Sequence, residues 1–146
     1  MRMKIYLDNC CFNRPFDDQG QVRVRLEAEA KLEVQARVLR RELDLAWSYI
    51  LDFENQANPF DQRRVAIEKW KLHAIIDVEE TSSILNKANE FMKDGLRPKD
   101  ALHLACADEA GCDVFLTTDD AMLRLGRGRT PVRVMNPVDF IVGETP

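Results

Sequence analysis

Four acidic residues are spaced along the chain at positions where a carboxylate could take part in chemistry. Asp8 directly follows the apolar run "IYL", and Asp119 follows the strand-like run "VFLTT". Glu54 belongs to the helical stretch "SYILDFE", and Asp100 begins the nearly all-apolar stretch "DALHLACA". Carboxylates that converge repel one another and lose hydration, so a fold that gathers them generally supplies a cation. Oxygen ligands select hard ions, which makes Mg²⁺ or Mn²⁺ the expected cofactor of such a site.

Each of these acids also has an ordinary structural explanation. An aspartate at a strand end is common on protein surfaces, and Asp100 in a first helical turn would favour the helix dipole. Glu54 could be a partly exposed acid on a helix surface. At the fourth position Asp119 is preferred because it directly follows the strand, and the adjacent Asp120 stays open as the alternative.

The cysteines and histidines do not form a zinc-binding pattern. Cys10 and Cys11 are adjacent, Cys106 and Cys112 lie six residues apart, and no CxxC pair accompanies the two histidines. We therefore expect buried, reduced thiols at these positions.

Short strand-like runs alternate with longer helical ones along the chain. This alternation is typical of a parallel α/β sheet, whose ligands bind at the carboxyl ends of the strands. Asp8 and Asp119 would lie at one edge if their strands are parallel neighbours. Leu32, Ala36, Leu39 and Leu43 recur at helical spacing, which predicts a stripe that faces the sheet or a partner subunit. The predicted strands are 4–7, 43–47, 73–78, 114–118 and 132–135, and the predicted helices are 22–44, 62–72, 81–92 and 98–110, with one more between Ser48 and Asn58.

Length and composition limit the class of protein. At 146 residues we expect one domain, 1–146, and a hydrophobic fraction of 45% indicates a globular protein. No stretch suits a membrane span and the first residues form no signal peptide, so a cytoplasmic protein without a membrane partner is expected. A net charge of −4 gives no general basic field, so a polyanion would have to meet a local patch or a metal-neutralised acidic cleft.

The acidic segments, taken in this order, resemble the PIN-domain family of metal-dependent ribonucleases, which includes the toxins of bacterial toxin–antitoxin pairs. The matching segments are "IYLDN", "SYILDFE", "KDALHLACA" and "VFLTTDD", and the likeness extends over essentially the whole chain. It implies an α/β protein of three layers, α/β/α, with a five-stranded and mainly parallel sheet. It also implies that Asp8, Glu54, Asp100 and Asp119 bind one or two divalent ions, Mg²⁺ or Mn²⁺, and cleave RNA.

The resemblance implies partners and auxiliary residues as well. RNA would be the substrate, a small antitoxin is a candidate protein partner, and a homodimer is the usual assembly. Asn9, Arg14 and Asp120 are candidate auxiliary residues. Arg14 is the preferred cation for steering RNA, because it lies in the turn after Asp8. His103 is expected to be a packed histidine, although it could bond with an acid on the face of Asp100. Weaker candidates for steering RNA are Arg23, Arg25, Arg63, Arg64 and Arg97.

Two other functions fit parts of the pattern. A phospho-acceptor receiver domain also places acids at strand ends, but it needs a lysine after the last strand, and "VRVMNPVDF" contains none. A catalytically idle domain of the same fold, used to bind a protein partner, is the remaining alternative, because fold alone does not fix function.

Overall fold

The computed structural model describes residues 2–143, which form a five-stranded sheet in the order β3-β2-β1-β4-β5. All neighbouring strands are parallel, and β1 lies at the centre between β2 and β4. The expected α/β class with a parallel sheet is therefore confirmed. The strands are β1 Met3–Leu7, β2 Leu43–Ser48, β3 Ala74–Val78, β4 Val114–Leu116 and β5 Arg133–Met135.

Helices cover both faces of this sheet. Successive side chains of a strand point to opposite faces, so each face carries side chains that pack against helices. The helices are α1 Asn9–Asn13, α2 Val22–Leu39, α3 Tyr49–Gln56, α4 Asp61–Glu68, α5 Ser82–Lys93, α6 Pro98–Glu109, α7 Asp120–Leu125 and α8 Pro137–Gly143, with 3₁₀ turns at Arg14–Phe16 and Lys69–His73. On one face of the sheet, Tyr6 of β1 contacts His103 of α6. On the other face, Trp47 of β2 packs edge-to-face against Phe12 of α1, and Lys31 of α2 lies over the Phe12 ring.

The second helix differs from its prediction in both its length and its buried face. It ends at Leu39, and Leu43 belongs to β2, so the four residues do not form one helical stripe. Leu32 is 51% exposed, whereas the buried face carries Val34 together with the polar side chains of Glu27 and Lys31, so the stripe does not face the sheet. Hydrophobic periodicity assigns such buried charges to the solvent side. The alternative, that the exposed leucines face a partner subunit, stays a prediction.

Three short helices, α1, α7 and α8, have no counterpart among the predicted elements. Each has five to seven residues, which is too short for helical periodicity to be visible. Local capping explains two of them. Asp8 accepts a hydrogen bond from the first amide of α1, and Asp119 accepts one from Met122 at the start of α7. Two acids of the site therefore also end strands and begin helices.

Three of the four cysteines are buried thiols, as the sequence predicted. Cys11, Cys106 and Cys112 are buried and free, as expected, whereas Cys10 is only partly buried. Burial raises the pKa of both Cys106 and Cys112 to about 12, so these thiols stay protonated at neutral pH. Within residues 2–143, no helix combines the length and the apolar character that crossing a membrane requires.

Candidate functional site

A cleft of about 530 Å³ opens at the carboxyl ends of β1 and β4. The expectation that acids after these strands would share one edge is met, since β1 and β4 are parallel neighbours. All four acids of the predicted set line this cleft. Its lining consists of Asp8, Asn9, Cys10, Glu54, Arg97, Pro98, Lys99, Asp100 and Asp119.

Asp8 is the most buried of the four acids, with 6% of its surface exposed. Its carboxylate accepts hydrogen bonds from the Asn9 amide and the Thr117 hydroxyl, both at 2.8 Å, and from the Cys10 thiol at 3.5 Å. Thr117 follows β4 and is fully buried, so this contact ties the ends of the two strands together. The carboxylate is held in a fixed orientation at the base of the cleft.

A buried chain of hydrogen bonds holds the Glu54 carboxylate. His103 Nε2 donates to Glu54 Oε1 at 2.5 Å, and His103 Nδ1 is bonded to the Tyr6 hydroxyl at 2.6 Å. The Tyr6 hydroxyl also bonds with Ser48 Oγ at 2.6 Å, and Ser48 caps α3, the helix that carries Glu54. Asp8 Oδ1 lies 3.8 Å from His103 Nε2. His103 is thus both the packed histidine that was expected and the hydrogen-bond partner of one acid, Glu54.

This chain of hydrogen bonds changes the pKa of two of the groups that it joins, His103 and Glu54. Burial would lower the pKa of His103, but its hydrogen bond to Glu54 and the charges of Asp8, Glu54 and Asp100 raise it above its ordinary value of 6.5. Burial would raise the pKa of the Glu54 carboxyl, but the hydrogen bond and charge of His103, with the charge of Lys99, lower it overall. Glu54 is therefore kept ionised beside a histidine that retains its proton more readily than usual.

Asp100 and Asp119 both form ion pairs with the same side chain, that of Arg97. Arg97 Nη2 lies 2.9 Å from Asp100 Oδ2 and 2.5 Å from Asp119 Oδ2. Burial, with the charges of Asp8 and Asp119, raises the pKa of Asp100 although Arg97 opposes the shift. Burial would also raise the pKa of Asp119, but the Met122 amide and Arg97 lower it.

The three auxiliary candidates lie in different places. Asn9 lines the cleft. Arg14 is not part of the lining, because its guanidinium is bonded to Glu27 at 2.9 Å and to Asp17 at 3.1 Å. Asp120 is also absent from the lining, and Arg23 holds both of its oxygens, at 2.8 and 3.1 Å. Of the two neighbouring acids, Asp119 lines the cleft and Asp120 does not; of the candidate cations for steering RNA, Arg97 lines it and Arg14 does not.

Sequence reasoning missed several residues of the cleft or ranked them too low. Arg97 was a weak candidate, Cys10 was expected only as a reduced thiol, and neither Lys99 nor Thr117, the hydrogen-bond partner of Asp8, was considered for the site. Arg97 and Lys99 immediately precede Asp100, so a basic pair beside a predicted catalytic acid was the available signal. Within residues 2–143 Lys99 forms no ion pair, and its ammonium lies 5.7 Å from the centre of the exposed Phe53 ring. Lys99 is therefore a cation at the edge of the cleft that is not paired with any carboxylate of the described residues.

The donor set of the cleft fits a hard cation by its chemistry. Four carboxylates line it, and Asn9 Oδ1 is a buried amide oxygen that receives no hydrogen bond from any group in residues 2–143. In their present arrangement, no three His, Cys, Asp or Glu side chains of the described chain could hold a metal ion together. Three of the acids instead bond with an arginine or a histidine, since Arg97 holds Asp100 and Asp119 and His103 holds Glu54.

Comparison with known proteins gives a family match and two similar structures. The PIN domain profile matches residues 5–128. The chain is similar in fold to a chain of the DNA-bound VapBC from Salmonella typhimurium, with a TM-score of 0.57 and 15% identity over 92% of this chain and 98% of that one. It is also similar to a chain of VapBC2 from Rickettsia felis bound to a promoter DNA fragment, with a TM-score of 0.55 and 9% identity over 90% and 98%. A search of curated proteins gave no match.

Proposed function

Because the chain belongs to the PIN domain family, whose members are generally nucleases, we propose that it is a Mg²⁺- or Mn²⁺-dependent endoribonuclease. The observation that carries the proposal is the convergence of four carboxylates on one cleft at the carboxyl edge of a parallel sheet. A surface explanation fits these acids poorly, because Asp8 is buried and the Asp100 side chain is only 14% exposed. Gathering such charges is costly unless a cation compensates them.

The residues that would hold the ion are Asp8, Glu54, Asp100 and Asp119, with Asn9 Oδ1 as a neutral oxygen beside Asp8. When bound, such an ion supplies Lewis acidity to water and to the phosphodiester. The chain supplies the orientation. Asp8 is fixed by three donors, and Glu54 is kept ionised by His103. Lys99, at the rim, forms no ion pair with any described residue and offers its positive charge to an RNA phosphate, which the acids alone would repel.

Cleavage of a labelled, structured RNA by the purified protein tests this function. We expect cleavage with Mg²⁺ or Mn²⁺ and none with EDTA. Asp8→Asn and Asp100→Asn should each reduce the rate by roughly a hundredfold or more, because each removes a charge that the ion requires. Both variants should remain folded by circular dichroism. Retained cleavage by purified Asp100→Asn would contradict the assignment.

Asp119→Asn and Asp120→Asn form a matched pair of neighbouring substitutions. Only Asp119 lines the cleft, whereas Asp120 is exposed and bonded to Arg23. Cleavage should therefore be lost in Asp119→Asn and kept in Asp120→Asn. The reverse result would identify Asp120 as the fourth acid and show that the loop after β4 takes another conformation in the active protein.

A catalytically idle, protein-binding domain is the second candidate, and one observation favours it. Three of the four acids already bond with Arg97 or His103, so the cleft is partly compensated without an added ion. Absence of cleavage by folded wild-type protein on every RNA tested, with either metal, would support this candidate over the nuclease.

We further propose that the protein is the toxin of a toxin–antitoxin pair that acts on cytoplasmic RNA. The support is its family and its likeness in fold to chains of two VapBC assemblies. A small antitoxin would then be its partner, and a short open reading frame immediately upstream should encode it. Co-expression of the two frames should give a complex that purifies together and cleaves RNA more slowly. A homodimer is the expected assembly, and sedimentation equilibrium measures it directly.

A further inference from the structure

Arg97 occupies an unusual position for an exposed arginine. One nitrogen, Nη2, lies within 3 Å of carboxylate oxygens from two different elements, Asp100 at the start of α6 and Asp119 after β4. A second nitrogen, Nε, also donates to Asp100, at 3.0 Å. These two carboxylates belong to the set that would hold the divalent ion. The positive charge of Arg97 therefore lies between two of the groups on which ion binding depends.

The backbone places Arg97 at this point, and the side chain stays free to leave it. Arg97 is the N-cap of α6 with extended backbone angles, φ −67° and ψ 154°, which is the conformation that the following Pro98 favours. Its side chain is nevertheless 64% exposed. A long, exposed side chain with a fixed base can move away from the carboxylates without disturbing the helix.

We propose that Arg97 is a built-in counter-ion that competes with the divalent ion for Asp100 and Asp119. This inference rests on the proposed metal-dependent function and names a residue that limits its metal affinity. Without the arginine, the negative charges of Asp100 and Asp119 would repel each other and that of Asp8 more strongly. The ion can bind these carboxylates only when Arg97 no longer does. The free energy of ion binding is therefore less favourable by the free energy of the two ion pairs that Arg97 forms with Asp100 and Asp119.

Lys99 provides a matched control for this inference. It lines the same cleft two residues away and carries the same charge, but it bonds with no carboxylate within residues 2–143. Removing it changes the general electric field of the cleft and breaks no ion pair with the acids. Direct competition therefore predicts a large difference between the two alanine substitutions, whereas a general field effect predicts similar results.

The test is titration of Mn²⁺ into the full chain by isothermal calorimetry, without RNA. Wild type, Arg97→Ala, Arg97→Lys and Lys99→Ala are compared, with thermal denaturation to confirm that each is folded. Arg97→Ala should bind Mn²⁺ roughly fivefold more tightly than wild type, and Lys99→Ala no more than about twofold more tightly. Arg97→Lys should lie near wild type, because an ammonium can also bridge the two carboxylates.

Each result decides the inference. Tighter binding confined to Arg97→Ala supports competition. Equal or weaker binding by Arg97→Ala overturns it, and so does an equal gain in Lys99→Ala, while Mn²⁺ binding by wild type leaves the proposed metal-dependent function standing in both cases. Failure of all four proteins to bind Mn²⁺ overturns the inference and the metal-dependent function together.

Discussion

Replacing His103 by leucine should weaken the protein and disturb the orientation of Glu54 at the same time. The imidazole is 1% exposed and joins the Tyr6 hydroxyl to the Glu54 carboxylate, at 2.6 and 2.5 Å. Leucine fills similar space but bonds with neither group. Glu54, whose side chain is 17% exposed, would then lose its main partner close to the buried charge of Asp8.

The size of the effect follows from the two bonds that are lost. A hydrogen bond to a charged group contributes about 1.5–3 kcal/mol and a neutral one about 0.5–1.5 kcal/mol. Tyr6 keeps its bond with Ser48, so its loss lies at the low end. We expect His103→Leu to lower the free energy of unfolding by about 2–4 kcal/mol. Tyr6→Phe, which removes only the neutral part of the chain, should cost about 1 kcal/mol.

A double-mutant cycle isolates the bond between His103 and Glu54. Wild type, His103→Leu, Glu54→Ala and the double variant are unfolded in urea, and the free energies are combined. The coupling energy should be about 1.5–3 kcal/mol at pH 6. A coupling below about 0.5 kcal/mol, which is the ordinary error of additivity, would refute the role given to His103.

The same coupling should depend on pH in a defined direction. The pKa of His103 is raised in the folded protein, so its contribution is complete below pH 6.5 and is lost as the pH rises through the folded pKa. The pKa of Glu54 is lowered, so its contribution is complete above pH 4.5 and is lost as the pH falls through the folded pKa. The coupling should therefore be greatest between pH 4.5 and 6.5 and smaller at pH 8.5.

Two further predictions concern stability. Lys31 is 4% exposed and burial lowers its pKa to about 8, so Lys31→Met should raise the free energy of unfolding at pH 7 by up to about 3 kcal/mol. The free energy of unfolding of wild type should rise from pH 8 to pH 10.5, because Lys31 loses its proton in the folded protein at a lower pH than in the unfolded chain. Lys31→Met should show no such rise, and urea unfolding at each pH measures both proteins. Ser48→Ala and Thr81→Ala each remove a helix N-cap and should each cost about 1 kcal/mol in thermal unfolding. Only Ser48→Ala should also slow RNA cleavage, because Ser48 bonds with Tyr6, and an equal effect of Thr81→Ala on cleavage would contradict this.

The alternation of strands and helices could be predicted because it depends on local patterns. Apolar, β-branched runs gave all five strands within a few residues of their true ends. Helices were predicted to start at Ser48 and Thr81, and in the structure these two residues cap α3 and α5. The buried face of the second helix was not predicted because it includes Glu27 and Lys31, which contact Arg14, Asn136 and Phe12 of other segments.

The acids of the site were visible in the sequence, but their partners were not. Asp8 and Asp119 stand at strand ends, and a parallel sheet places such residues at one edge. Arg14 was preferred over Arg97 because it is near Asp8 in sequence. Arg14 lies outside the lining of the cleft because it forms an ion pair with Glu27 of α2. Arg97 lies in the cleft because it bridges Asp100 and Asp119, which come from different elements. Neither effect has a local signal.

The sequence by itself determined the class of fold, the parallel edge and the four acids that line the cleft. These features depend on residue type and on short-range periodicity. Only the tertiary structure decided what balances the acids, because charge compensation is set by distances between elements. The bonds of His103 with Glu54 and of Arg97 with Asp119 join residues 49 and 22 positions apart, and the field in the cleft depends on them.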